Sequence, residues 1–140
     1  AIMRVTDAAE FITLWTVFFN REQGTATCVD SGHGYCAVVR ASGEVERVKI
    51  DGGPPVGVVE DYPYDSVEIP FAVGDRLVVF SDGLAEQQET EGSPEMFGFD
   101  RVLDALRQSN SEQEDVEMLY AALEEFAGGT SVISVSLVEE

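Results

Sequence analysis

Basic residues are scarce in this chain. Eight Lys plus Arg stand against 27 Asp plus Glu, leaving a formal charge of −19 over 140 residues. Binding to a nucleic-acid backbone depends on clustered cations, so these scattered ones argue against a polynucleotide partner and against an anionic membrane surface. Metal cations and basic protein patches suit the same surface. There is one His, and there are two cysteines, Cys28 and Cys36. Two cysteines make no disulfide framework, and no CxxC or Cys/His cluster has zinc spacing. Both lie in strand-like segments beside Val and Ala, the setting of a small buried thiol. No apolar run approaches the roughly 20 residues needed to cross a bilayer. Ala1 to Glu10 lack a basic start followed by an apolar stretch, so no signal peptide is expected and a reducing cytoplasm is the expected compartment. The opening Ala1-Ile-Met-Arg-Val5, with Met third, points to a piece of something longer. What the chain does have is apolar material, 44% of residues spread along its length, which predicts one folded domain over 1–140 rather than an acidic tail.

Phe11-Ile-Thr-Leu-Trp-Thr-Val-Phe-Phe19 is β-branched or aromatic at every position but Leu14, a buried-strand pattern. Asn20-Arg-Glu-Gln-Gly24 supplies a hairpin turn, and Thr25 to Val29 resumes as a second strand. Asp30-Ser-Gly-His-Gly34 interrupts. Tyr35 to Arg40 and Val45 to Ile50 follow as two further strands around the turn Ala41-Ser-Gly-Glu44. Connections this short predict an antiparallel meander of four strands. Asp51-Gly-Gly-Pro-Pro-Val-Gly57 is an irregular loop. Ser66 to Ile69 and the nearly continuous apolar Arg76 to Ser81 are two more strands, the latter central. Helices are predicted over Phe99 to Leu106 and from Ser111, where Val116, Leu119, Tyr120, Leu123 and Phe126 form one stripe. Gly128-Gly129 ends the second helix, and Ser131 to Val138 alternates as a closing strand. The fold class is α+β, a mostly antiparallel sheet with two helices over one face.

The sharpest local feature is Phe80-Ser-Asp-Gly-Leu-Ala-Glu86. A buried strand ends in an acid followed by glycine, which puts the Asp82 carboxylate at the sheet edge beside backbone that a ligand can approach closely. Such a carboxylate suits a hard divalent cation, and it equally suits a cap for the turn or the next helix. His33, between two strands, is either a turn residue bonded to backbone or a residue at the edge of an active site. No G-x-S-x-G elbow supports a Ser-His-Asp triad. The Gly-Gly-Pro-Pro loop lacks a Walker lysine, since Lys49 is the chain's only Lys, so a P-loop is excluded. The run Glu112-Gln-Glu-Asp115 fits the charged start of a helix.

Taken in order, these segments resemble the second half of the SpoIIE/RsbU-type serine phosphatases, a branch of the type 2C metal-dependent protein phosphatases. Phe11-Ile-Thr-Leu14 and Val29-Asp-Ser-Gly-His33 are similar to the family's "FVTL…NAGH". Gly52-Gly-Pro-Pro-Val-Gly-Val58 is similar to "GGxPLGV", and Val73-Gly-Asp-Arg-Leu-Val-Val-Phe-Ser-Asp-Gly83 to "xGDxLLLYTDG". Phe97-Gly-Phe-Asp-Arg-Val-Leu103 is similar to "FGxxRL", and Ser131 to Leu137 to the final strand. Each motif is weak alone; the ordered set is specific.

The resemblance implies a layered α/β/β/α sandwich of antiparallel sheets, incomplete in this chain, and a site for two Mn²⁺ or Mg²⁺ ions. It implies hydrolysis of phosphoserine or phosphothreonine by a metal-activated water, with no covalent intermediate. It makes Asp82 a metal ligand and places His33 at the site's edge. The implied substrate is a small bacterial regulatory protein of the anti-sigma antagonist type, and an upstream sensor or receiver domain is the implied partner. Two departures stand out. The family's first half, with "GDxxD" and "DGxGHG", has no counterpart here, and Gly128-Gly-Thr-Ser131 occupies the place of two adjacent aspartates. A lone carboxylate holds Mg²⁺ or Mn²⁺ poorly, so the alternative is a pseudophosphatase, the same fold kept as a protein-binding signalling module. Half of a two-sheet sandwich would also leave apolar surface open, at Leu14, Val17 and Val78-Val79-Phe80, predicting a dimeric or aggregation-prone chain.

Overall fold

In a computed structural model, residues 12–32, 34–80, 82–86, 97–126 and 132–136 are described; the side chains of 82–83, 124–126 and 132–135 lie outside that description. Two compact units emerge, Ala1–Gly34 with Lys49–Ala72, and Tyr35–Val48 with Val73–Glu140.

The first unit holds a three-stranded antiparallel sheet in the order β1 (Leu14–Asn20), β2 (Thr25–Ser31), β5 (Ser66–Pro70). The predicted hairpin turn forms: Asn20 Oδ1 accepts the Gln23 N–H at 3.1 Å, and Gly24 takes φ 64°. Leu14 faces Ser31 and Phe18 faces Thr27 across β1 and β2. β2 is central, with Ala26, Cys28 and Asp30 buried on one face. Phe71, just past β5, packs against Phe19 with the rings tilted by 44° and their centroids 5.1 Å apart. β1 is not the buried strand its composition suggests. It lies at the sheet's edge, and Leu14, Thr16 and Phe18 point outward to solvent.

The second unit holds a four-stranded antiparallel sheet ordered β4 (Val45–Arg47), β3 (Cys36–Val39), β6 (Arg76–Phe80), β7 (Val132–Ser136). The expected four-strand meander is therefore wrong. The β1–β2 and β3–β4 hairpins form, but β2 pairs with β5, while β3 pairs with β6. The chain changes sheets at Asp30 to Gly34, where Gly32 (φ 82°) and Gly34 (φ 86°) adopt backbone that other residues resist. β6 is interior, as its apolar run predicts.

Among its described residues this unit has three helices: α1 (Asp82–Ala85), α2 (Gly98–Arg107) and α3 (Glu112–Phe126). Ala37, Val39, Val78 and Phe80 on one sheet face share a buried core with Leu84, Val102, Leu106, Leu119 and Leu123. Val78 and Phe80 are thus covered, not part of an open face. Ser111 starts α3 by accepting the Glu114 N–H at 3.2 Å. The stripe expected on α3 is rotated: Leu119 and Leu123 are buried, whereas Tyr120 is exposed and the fully buried first-turn residue is Asp115. Arg76 on β6 explains the rotation. Its Nε and Nη2 donate to the Asp115 carboxylate at 2.7 and 3.0 Å, and Nη2 also donates to Ser109 Oγ at 3.0 Å. Glu112 to Asp115 is more than a solvated helix start. Among the described residues no helix is long and apolar enough to cross a membrane.

Candidate functional site

In the first unit, the C-terminal end of β2 meets the loop that follows residue 50. Ser31 bridges Gly53, and the Gly53 N–H donates to the Asp30 carbonyl at 3.2 Å. The proline loop is tied to the residues just before β1 by two bonds between Ile12 and Val56, at 2.9 and 2.8 Å. Tyr64 Oη donates to the Pro54 carbonyl at 2.7 Å. Glycine is required here by space. A Cβ on Gly32 would lie 2.7 Å from Pro55 Cγ, and one on Gly53 would lie 2.7 Å from Tyr64 Cε1.

Asp30 sits at the centre of this arrangement, 5% exposed. Its Oδ2 accepts the Gly34 N–H at 2.7 Å, a short charge-assisted bond that closes the loop Ser31–Gly34. In the sequence Asp30 stands out only as part of the interrupting segment and of the Val29-Asp-Ser-Gly-His33 motif, not as a site residue. The signal was an acid near the end of a strand, two residues before Gly32-His-Gly34; at Asp82 too an acid stands at a strand end with glycine close behind. His33 itself lies outside the described residues; its neighbours Gly32 and Gly34 define the loop that carries it.

In the second unit Asp82 opens α1 directly after the central strand β6. Phe80 and Leu84, on either side, are both fully buried, and they fix where the chain turns from strand to helix. The Asp82 side chain lies outside the described residues. Beyond α1, Tyr35 Oη donates to Glu86. Tyr35, Phe80 and Phe99 form a ring cluster with centroid separations of 5.2 to 6.3 Å, and the Arg47 guanidinium lies 4.3 Å above Phe99. The Gly-Asp of the β6 motif has a structural task. Asp75 accepts the Ala41 N–H at 2.9 Å and Arg40 Nη1 at 3.1 Å, which locks the β3–β4 turn to the start of β6.

Among the described residues no three His, Cys, Asp or Glu side chains gather as a metal-holding group. By themselves, therefore, those residues do not make up a two-ion centre. Gly128 to Ser131, where the resemblance expects paired aspartates, lie outside the described residues.

The phosphatase domain of SpoIIE from Bacillus subtilis, presoaked with Mn, superposes with a TM-score of 0.69 at 16% identity, covering 99% of this chain and 62% of that one. The SiaA PP2C domain of Pseudomonas aeruginosa gives a TM-score of 0.71 at 20% identity, covering 97% and 56%. The RsbU and RsbW domains of a Mycobacterium tuberculosis protein give 0.65 at 17% identity, covering 87% and 34%. The chain thus spans less than two thirds of each of these structures, and they establish its fold: α+β with two antiparallel sheets, as in PP2C-like phosphatase domains. No curated protein matches by sequence. The family model for stage II sporulation protein E matches residues 1–132, and on that match the chain belongs to the SpoIIE family.

Proposed function

We propose that residues 1–140 are the second half of one SpoIIE-type domain, and that the protein carrying it is a metal-dependent protein serine/threonine phosphatase. The family match across 1–132 carries this reading. Asp82, at the turn from the central strand into α1, is the proposed metal ligand from this chain, with Mn²⁺ or Mg²⁺ as the ion. Metal of this kind supplies an activated water and offsets the charge of a transferring phosphoryl group. His33 is proposed at the site's edge, on the loop closed by Asp30. The proposed substrate is a phosphoserine or phosphothreonine of a small regulatory protein of the anti-sigma antagonist type, and a sensor or receiver domain is the proposed regulator. The excess of 19 negative charges favours a basic patch on either partner. A cytoplasmic location is proposed, in keeping with two buried cysteines that form no disulfide.

A phosphoserine peptide with Mn²⁺ tests this. The 140-residue chain alone is expected to be silent, because one carboxylate does not hold the ion. The full-length protein is expected to turn over, and Asp82→Asn should reduce turnover by more than about a hundredfold, since even outer-shell partners of metal ligands cost about 10- to 100-fold. Circular dichroism checks that the variant folds. A full-length protein inert with Mn²⁺ would favour the pseudophosphatase, a reading to which Gly128-Gly-Thr-Ser131 already lends weight. Robust turnover by the 140-residue chain that disappears in Asp82→Asn would show that the chain carries more ligands than this.

A further inference from the structure

Two loops meet at the end of β2, and one side chain touches both. The Asp30 carboxylate accepts the Gly34 N–H at 2.7 Å on one side. On the other it lies against Gly52: a Cβ built there would be 3.1 Å from Asp30 Cγ and 3.2 Å from Oδ2, and the three atoms nearest that Cβ all belong to Asp30. Asp30's own carbonyl accepts the Gly53 N–H. We propose that Asp30 is a positioning residue, coupling the Ser31–Gly34 loop to the Gly52–Gly53 loop so that displacement of one is felt by the other.

The physical argument is one of confinement. The carboxylate is buried, so losing an N–H partner is costly, and it cannot swing aside freely. Glycine at 52 leaves just enough room for it to hold the Gly34 amide at short range. Gly52 has no positive φ, so backbone strain does not oppose a side chain there; the carboxylate does. A methyl at 52 therefore has to press on Asp30 and, through it, on Gly34, a residue that it does not touch. As a role in catalysis the proposal rests on the phosphatase reading; as a coupling between loops it does not.

Amide hydrogen exchange in the full-length protein, labelled with ¹⁵N-glycine, reads the coupling directly. Exchange at Gly34 is expected to quicken at least about tenfold in both Asp30→Ala and Gly52→Ala, in line with loss of a hydrogen bond to a charged group. Asp30→Asn keeps an acceptor oxygen and should stay within about threefold of the unsubstituted protein. Adding Gly52→Ala to Asp30→Ala should change nothing further, because the coupling member is gone. Unaltered Gly34 exchange in Gly52→Ala, additive effects in the double variant, or an Asn variant that behaves like Ala would each overturn the coupling. Should Asp30→Ala fail to fold, Gly52→Ala compared with Asp30→Asn decides alone. In the phosphoserine assay, Asp30→Ala and Gly52→Ala should lower kcat about tenfold or more with KM little changed, and Asp30→Asn should restore it. Loosened loops with unaltered kcat would overturn the catalytic role. An inert unsubstituted protein would instead sink the phosphatase reading, while the exchange data still judged the coupling.

Discussion

Cys28 shows what burial does to one side chain. It sits on the central strand of the three-stranded sheet with no solvent exposure, and burial pushes its thiol up from 9.0 to about 11. The cause is the cost of placing a thiolate where water cannot reach it. Below about pH 9 the thiol is protonated in both folded and unfolded chains, so it adds no pH dependence. Between about 9 and 11 the unfolded chain sheds the proton and the folded chain keeps it, so stability falls as pH rises; above about 11 the loss is complete. A shift of two units amounts to about 2–3 kcal/mol. Urea unfolding at pH 8 and at pH 11 should therefore show a steeper loss for the unsubstituted chain than for Cys28→Ala. Equal losses would mean that the thiol titrates normally in the folded state. A hidden thiol of this kind is a poor nucleophile, which agrees with reading both cysteines as structural from their Val- and Ala-rich strands.

At the scale of elements, the tether between β6 and α3 does most to explain why the helices lie where they do. Arg76 and Asp115 are 39 positions apart, and the fork of the guanidinium meets both carboxylate oxygens inside the helix-covered side of the sheet. Removing one partner leaves the other charge buried without this counter-charge, although Ser109 still bonds it. Asp115→Ala is expected to cost about 3–5 kcal/mol in urea unfolding, and Glu114→Ala at the neighbouring, half-buried position far less. Similar costs for the two would show that the pair adds nothing beyond an ordinary helix-start acid. Nothing local announces this pairing, which is why the acidic run reads only as a charged helix start and why the stripe on α3 includes Tyr120 but not Asp115. The strands themselves were legible, since alternation and turn residues are local signals: the β1–β2 and β3–β4 hairpins and the central β6 all follow from them. Their partners were not. Short connections favour a meander, yet β3 joins a different sheet after a segment in which Gly32 and Gly34 are left-handed. The candidate site was legible to the same degree. The strand end at Asp82 could be read from Phe80-Ser-Asp-Gly83, but Asp30's double contact depends on a loop some 20 residues further on.

For the whole molecule, two opposed forces act on association. On β1 and just before it, Ile12 is 45%, Leu14 41% and Phe18 69% exposed. Burying apolar surface of this kind is worth about 25 cal/mol per Å², and β1, an edge strand among the described residues, offers a template for a second chain. Against this stands the net charge of −19, which makes every pair of copies repel. The repulsion is long-ranged and screened by salt; the apolar attraction is short-ranged and is not. The 140-residue chain should therefore be largely monomeric at about 0.02 M salt and should associate at about 0.5 M, where the Debye length falls to a few ångströms. Sedimentation velocity at the two salt concentrations measures this, and Phe18→Ser should return the high-salt sample to monomer by removing the most exposed ring. A monomer at both ionic strengths would show that this surface is too small or too divided to hold two copies together. Association strongest at low salt would point to attraction between charged patches, of which the scattered cations give no sign.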